Sequence, residues 1–70
     1  MEHYTGFNSS NVARISYDES NSTLEVEFNN GSVYQYYDVG SNVWQDFKAA
    51  ASKGQFIHQN LKGQYRYARV

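Results

Sequence analysis

The sequence predicts a small α+β domain in which an antiparallel sheet of three to four strands carries two short helices on one face. Three observations predict this fold. Short stretches in the N-terminal half alternate apolar and polar residues, as half-buried strands do. An Asn-Asn-Gly sequence separates two of those stretches and is a strong hairpin signal. After Gly40, apolar residues recur instead at helical spacing.

The size and composition limit what can stabilise this domain. The chain has 70 residues, enough for one domain with a thin core. It has no cysteine, so disulfides and thiolate zinc sites are excluded. Seven Tyr, four Phe and one Trp are the main packing material, and each buried aromatic side chain removes roughly 150–250 Å² from water. The core is therefore expected to be aromatic.

The first predicted strands follow a partly ordered, polar lead-in at residues 1–8, which leaves residues 9–70 as the single domain. Residues 12–17 alternate, and one face is predicted to carry Ala13, Ile15 and Tyr17. Residues 23–28 alternate more cleanly, and their inward side chains are predicted to be Leu24, Val26 and Phe28. Residues 32–39 form the third predicted strand.

The register of the hairpin decides where two tyrosines lie. A two-residue turn puts Tyr34 and Tyr36 on the polar face of the strand pair. A three-residue loop with Gly31 in a left-handed conformation pairs Phe28 with Ser32 and puts both tyrosines on the apolar face, because one residue of slip exchanges the faces. We favour the three-residue loop, since it collects five large side chains on one face.

Two helices are predicted after Gly40. Ser41 is the expected N-cap of the first, over residues 42–51, whose apolar positions are Val43, Trp44, Phe47, Ala50 and Ala51. Ser52 and Gln55 fit a capping box that starts the second helix, with Phe56, Ile57 and Leu61 as its apolar stripe. Gly63 is expected to end that helix in a left-handed conformation. Residues 64–69 alternate again and predict a short strand or an extended tail that returns to the sheet.

Charge is distributed unevenly along the chain. All seven acidic residues lie in residues 1–47 together with Arg14 alone, whereas the other five of the six basic residues follow Phe47. Such an asymmetry is typical of an interaction face for a negatively charged partner. It equally fits a domain in which the two halves of the chain pack together and neutralise each other. The sequence leaves both interpretations open.

An ordered set of motifs resembles a known family. It comprises Ile15-Ser-Tyr17-Asp18, Leu24-Glu-Val26-Glu-Phe28, Gly31 with Tyr34-Gln-Tyr36, Val39, Ser52-Lys-Gly-Gln-Phe56, Leu61-Lys62 and Tyr65-Arg-Tyr67. Over roughly residues 9–70 the chain resembles the KTSC domain family, which takes its name from the C-terminus of some lysyl-tRNA synthetases and also occurs as single bacterial and phage-like domains. The resemblance implies RNA binding as one role. Gly40 and His58 depart from the proline and asparagine common in the family.

The C-terminal segment therefore supplies the candidate contacts for a nucleic acid. Cations suit phosphates and exposed aromatic rings suit bases, and the candidates are Lys53, His58, Lys62, Tyr65, Arg66, Tyr67 and Arg69. Tyr34 and Tyr36 form a further aromatic pair if the hairpin register exposes them. Single-stranded RNA is the expected partner, because its bases are accessible for stacking.

Two other functional classes compete with this hypothesis. A protein-interaction or adaptor module would use the same tyrosines and arginines, which dominate the energetics of protein interfaces. Catalysis is not expected, because cysteine is absent, His58 has no nearby acidic residue in sequence, and no phosphate-binding glycine loop or metal-ligand spacing occurs. We expect no cofactor, no metal and no membrane partner, and the absence of a signal peptide predicts a cytoplasmic protein.

Overall fold

A computed structural model describes all 70 residues and has a five-stranded antiparallel sheet with the strands in sequence order, β1 to β5. The strands are β1 Glu2–Tyr4, β2 Val12–Asp18, β3 Thr23–Phe28, β4 Val33–Tyr36 and β5 Tyr67–Arg69. Between β4 and β5 lie helix α1, Ser41–Ala49, and helix α2, Lys53–Phe56, which continues into a π-helical segment, Ile57–Leu61. The predicted α+β class is confirmed. The predicted C-terminal strand is present as β5, and the sheet has one strand more than the predicted three to four because β1 is added at the other edge.

The lead-in contains strand β1, which the sequence did not predict. Its residues are exposed and polar, so no local pattern marks them as a strand. The strand forms by pairing with β2, where Glu2 lies opposite Tyr17 and Tyr4 opposite Ile15. The Nδ1 atom of His3 lies 2.7 Å from the hydroxyl of the buried Ser16 and adds a side-chain hydrogen bond to this pairing.

A β-bulge near the start of β2 changes which residues face the core. Val12 pairs with Phe28 but Arg14 pairs with Glu27, so β2 contains one extra residue at this point. Val12 is therefore buried and Ala13 exposed, which corrects the prediction that Ala13 shares the inner face with Ile15 and Tyr17. Ile15 and Tyr17 are both buried as predicted, but Ser16 between them is also buried.

The hairpin between β3 and β4 has the three-residue loop that we favoured. The Phe28 N–H donates to the Ser32 carbonyl at 2.9 Å, and Gly31 has a φ of +89°. Tyr34 and Tyr36 consequently lie opposite Val26 and Leu24, on the apolar face. Strand β4 stops at Tyr36, short of the predicted residue 39, and Asp38 beyond it has a left-handed φ of 59°.

The predicted helix signals are confirmed with one correction. Gly40, and not Ser41, is the N-cap of α1, and no side chain caps that end. Ser52 caps α2 as predicted, because its hydroxyl accepts from the Gln55 N–H at 3.2 Å. Gly63 has a φ of +79°, in the predicted left-handed conformation. It turns the chain from the π-helical segment back toward the sheet.

The core lies between the sheet and the helices and is aromatic at its centre. Trp44 of α1 is 1% exposed and stacks on Tyr17 of β2 with ring centroids 5.7 Å apart. Phe47 stacks on Phe56 of α2 at 4.7 Å, which links the two helices to each other. Ile15, Leu24, Val26 and Leu61 are fully buried around these rings. The helix–sheet core predicted for Trp44 is thus confirmed.

The central position of Trp44 predicts a large loss of stability on truncation. Trp44→Ala should lower the free energy of unfolding by about 3–5 kcal/mol, because it removes a buried ring and leaves a cavity. Urea denaturation followed by far-UV circular dichroism measures this change. Gln45→Ala, at the exposed neighbouring position of the same helix, is the control. A Trp44→Ala midpoint close to the wild-type value would contradict the packing described here.

The left-handed Gly31 predicts a residue-specific response in the hairpin. Gly31→Val should lower the free energy of unfolding by roughly 1–2 kcal/mol or more, because a β-branched residue tolerates positive φ poorly. Gly31→Asn should retain most of the stability, because asparagine tolerates that region best among residues with a side chain. The two variants are compared by thermal denaturation, and equal melting temperatures would rule out a left-handed residue at this position.

Candidate nucleic-acid interface

A partly open groove of about 470 Å³ lies between one end of the sheet and the helical segment. Its floor is formed by aromatic side chains of β3, β4 and β5, namely Phe28, Tyr34, Tyr36 and Tyr67. Its wall is the π-helical segment and the residue after it, with Ile57, His58 and Lys62. Asn11, Ser32 and Gly54 complete the lining, and none of the lining residues is acidic. The groove therefore combines apolar rings with cationic and polar groups.

The aromatic floor has one open ring. Tyr36 is 6% exposed and Tyr34 is half-buried, whereas Tyr67 is 59% exposed. The Tyr67 ring lies 6.0 Å from the Tyr34 ring and 5.8 Å from the Tyr36 ring, so both neighbours support it. Burial, with the nearby Tyr34 and Tyr67, raises the pKa of the Tyr36 hydroxyl above its ordinary value and keeps it neutral.

The wall is positioned by the π-helical turn. Ile57 and Leu61 are buried against the sheet, while His58 and Lys62 are exposed and line the groove. The Lys62 N–H donates to the Ile57 carbonyl at 2.8 Å and closes the wide turn. Gly63 then reverses the chain, so that the short strand carrying Tyr67 returns beside the same groove. Local π-helical geometry is frequent at functional sites.

Gly54 lets the loop that precedes β2 approach the helix closely. A Cβ atom at this position would lie 3.1 Å from the Asn11 Oδ1 atom, tighter than ordinary van der Waals contact. Asn11 Oδ1 is held by the Ser9 hydroxyl, which donates to it at 3.2 Å. The absence of a side chain on the glycine of the Lys-Gly-Gln sequence leaves room for this approach. Asn11 had no signal in the sequence, because its place depends on a loop that meets the helix only in the folded chain.

Lys53 is the principal correction among the predicted contacts. Its side chain is buried, with the residue 5% exposed, and its ammonium donates to the carbonyls of Lys48 and Ala50 at 3.1 and 2.6 Å. The same ammonium lies 5.6 Å from the Tyr4 ring centre and 5.3 Å from that of Phe7. Burial lowers the pKa of Lys53 from its ordinary value. Lys53 joins the C-terminal end of α1 to the lead-in and lies outside the groove.

Two further predicted contacts also lie outside the groove lining. The Arg66 guanidinium forms an exposed ion pair with Asp38 at 2.7 Å and covers the Tyr37 ring at 5.7 Å. The hydrogen bond that the Arg66 guanidinium donates to Asp38 raises the pKa of Arg66 further above its usual range. Tyr65 is half-buried and packs against the core. These side chains are engaged within the protein.

The opposite charges of the two chain halves meet in two ion pairs. Lys48 lies 2.9 Å from Glu2, and this hydrogen bond lowers the pKa of the exposed Glu2 carboxyl. With the Arg66 pair and the burial of Lys53, three of the five C-terminal cations are accounted for. Lys62 and Arg69 form no ion pair. Neutralisation between the halves thus explains part of the charge asymmetry, and two cations are left available.

The structure therefore brings together a subset of the predicted residues. His58, Lys62 and Tyr67 meet Tyr34 and Tyr36 in the groove. Arg69 is exposed and lies opposite Tyr34 across the β4–β5 pairing, so it flanks the aromatic floor. We call the groove together with Arg69 the tyrosine groove.

Neither a metal cluster nor a membrane span is present in the described chain. No group of three or more His, Cys, Asp or Glu side chains is placed to hold a metal ion. None of the helices has the length and the apolar character needed to cross a bilayer.

Comparisons with known proteins relate the whole fold to one family. The model of the KTSC domain matches residues 8–65. A lysine–tRNA ligase of Nostoc punctiforme is 36% identical over 59 residues, which are 84% of this chain and 10% of that protein. A protein of Stutzerimonas stutzeri is 40% identical over 63 residues, 89% of each chain. The crystal structure of a KTSC domain protein from Yersinia pestis has a TM-score of 0.88 and 33% identity, and covers 99% of this chain and 96% of that one.

The buried ammonium of Lys53 predicts a structural role that the other lysines lack. Lys53→Met keeps the aliphatic length but leaves the Lys48 and Ala50 carbonyls without their donor, which should lower the free energy of unfolding by about 1–3 kcal/mol. Lys62→Met, at an exposed cation without an ion pair, is the matched control and should change stability little. Urea denaturation of the two variants measures the difference. Equal midpoints would show that the Lys53 contacts contribute nothing to folding.

Proposed function

The chain belongs to the KTSC domain family, and from that premise we propose that it is a small, non-enzymatic module that binds single-stranded RNA in the tyrosine groove. One observation carries the proposal. An exposed tyrosine, Tyr67, lies in a groove without acidic residues, together with Lys62 of the lining and Arg69 of the same strand, two cations that have no ion-pair partner.

The groove offers both kinds of contact that single-stranded nucleic acids need. A base stacked on an aromatic ring is worth about 1–3 kcal/mol, and Tyr67 has the open ring. The Lys62 ammonium in the groove lining and the Arg69 guanidinium on β5 are exposed and are suited to phosphates. His58 adds a ring nitrogen for hydrogen bonding at the groove wall. A paired duplex would not present its bases to such a surface.

The relatives support an RNA partner for this domain, but the activity of the ligase is not assigned to this chain. The ligase of Nostoc punctiforme acts on a tRNA by its name, and the chain spans 10% of that protein's length. The protein of Stutzerimonas stutzeri matches over 89% of both chains, so the domain also occurs without the ligase. A module that recurs both within an RNA-handling enzyme and apart from it fits a binding role better than a catalytic one.

A protein-interaction role is the competing proposal, and the position of β5 favours it. This strand is the last in the sheet order, so the backbone groups on its outer edge have no strand partner. An extended peptide that added to this edge would pass beside Tyr67, as in β-strand addition. Such an interface depends mainly on backbone hydrogen bonds, and its affinity should respond weakly to salt.

The unpaired cations predict the salt dependence of RNA binding. The double variant Lys62→Gln, Arg69→Gln should weaken binding to an unstructured oligoribonucleotide and reduce the slope of log K against log salt by about 1.4, because each phosphate contact on a single strand contributes about 0.7. Fluorescence anisotropy at several salt concentrations measures the slope. The melting temperature should stay close to the wild-type value, because exposed cations contribute little to folding.

The matched control removes two cations from other surfaces. The double variant Arg14→Gln, Lys48→Gln changes the net charge by the same amount but alters residues paired with Glu27 and Glu2. Its salt slope should equal that of the wild type. Absence of RNA binding by the wild type at low salt would refute the RNA proposal and leave the edge-strand interface as the alternative.

A further inference from the structure

We infer that the tyrosine groove accepts one unstacked nucleotide, so that the domain recognises RNA at an unpaired base in a bulge, a loop or a strand end. This inference rests on the proposed RNA-binding function and names the form of RNA that the groove fits. It differs from the usual single-strand binding surface, which follows a strand over several nucleotides with several aromatic platforms.

The number of aromatic rings on which a base can stack limits how many bases the groove accepts. Tyr67 is the exposed ring of the groove, and its neighbours Tyr34 and Tyr36 are partly or fully covered. Their planes are inclined by 34° to the Tyr67 ring, so the three rings do not form a continuous stacking surface. The other exposed aromatic residue, Tyr4, belongs to β1 at the opposite edge of the sheet. One platform accommodates one base.

The size of the groove also fits a single base. Its volume of about 470 Å³ lies within the range of roughly 300–1,000 Å³ that is typical of sites for a single small ligand. Asn11 and Gly54, which approach each other closely, are both part of its lining. A groove of this volume accommodates a single base that enters beside Tyr67.

The polar groups around this space match the parts of one nucleotide. Lys62 and His58 lie four residues apart on the wall and face the same groove, where a phosphate next to the inserted base would lie. Asn11 Oδ1 accepts from the Ser9 hydroxyl, while its amide nitrogen makes no hydrogen bond within the protein. That nitrogen is a free donor for an acceptor atom on the edge of the base.

A base in a continuous duplex is stacked on both faces, so it cannot place a face against Tyr67. A single extra nucleotide in one strand has lost one or both stacking partners, and its extrusion costs little. The groove therefore distinguishes paired from unpaired nucleotides by access to a face of the base, and this distinction needs no sequence preference.

The test compares a short RNA hairpin whose fully paired stem is closed by a non-nucleotide linker in place of a loop, the same hairpin with one additional unpaired nucleotide in the stem, and unstructured oligoribonucleotides of increasing length. Fluorescence anisotropy at low salt measures each affinity. We expect the bulged hairpin to bind roughly 5- to 150-fold more tightly than the paired one, since one base is stacked. Affinity for the unstructured RNAs, divided by the number of nucleotides, should become constant after the first few nucleotides.

Variants at Tyr67 assign the difference to the groove. Tyr67→Ala should remove the preference for the bulged hairpin, whereas Tyr67→Phe should retain it, because the ring face is kept. Tyr37→Ala is the control, since Tyr37 lies outside the groove lining and packs beside Arg66. Each variant is checked for a wild-type circular dichroism spectrum before binding is measured.

The outcomes separate this inference from the function on which it rests. If no RNA in the set binds, the RNA proposal itself fails and the inference fails with it. If the unstructured RNAs bind and the bulged hairpin binds no better than the paired one, the domain binds RNA but the single-nucleotide inference is overturned. The inference is also overturned if the affinity per nucleotide keeps rising over long oligomers and Tyr67→Ala still prefers the bulged hairpin to the paired one.

Discussion

The register of the β3–β4 hairpin is the constraint on which the groove depends. Gly31 adopts a φ of +89° and the Phe28 N–H donates to the Ser32 carbonyl, which fixes a three-residue loop. Tyr34 and Tyr36 then lie on the helix side of the sheet. A slip of one residue would transfer both rings to the other face. Tyr36 would leave the core, and Tyr67 would lose the two rings that support it.

Features encoded by local patterns were predictable from the sequence. The alternation of residues 23–28, the glycine turn, the Ser52 cap and the left-handed Gly63 depend on neighbours close in the chain, and all four are found in the structure. The bulge in β2 was not predictable, because alternation from Ile15 to Tyr17 looks the same with or without an extra residue before it. Strand β1 was missed since its residues pair only through a distant partner.

The types of residue that form the candidate site were predictable from the sequence, but the individual residues that belong to it were not. Tyrosines and cations near the C-terminus do form the groove, yet sequence position could not show that Lys53 is buried and Arg66 ion-paired. Lys53 has two backbone carbonyls as acceptors at the end of α1, a tertiary arrangement that no spacing rule reveals. The cost of burying its charge is offset by these acceptors and the nearby rings.

The edge position of β5 links recognition to local unfolding. This strand has three residues and one neighbour, and it is extended by the Val70 N–H donating to Val33 and the Tyr37 N–H donating to Arg66. Short edge strands open at low free-energy cost without global unfolding. Opening of β5 would remove Tyr67 and Arg69 together and leave the core of Trp44 and Phe47 intact. The measured affinity is then the affinity of the closed form multiplied by its population, and a bound ligand slows amide exchange along this strand.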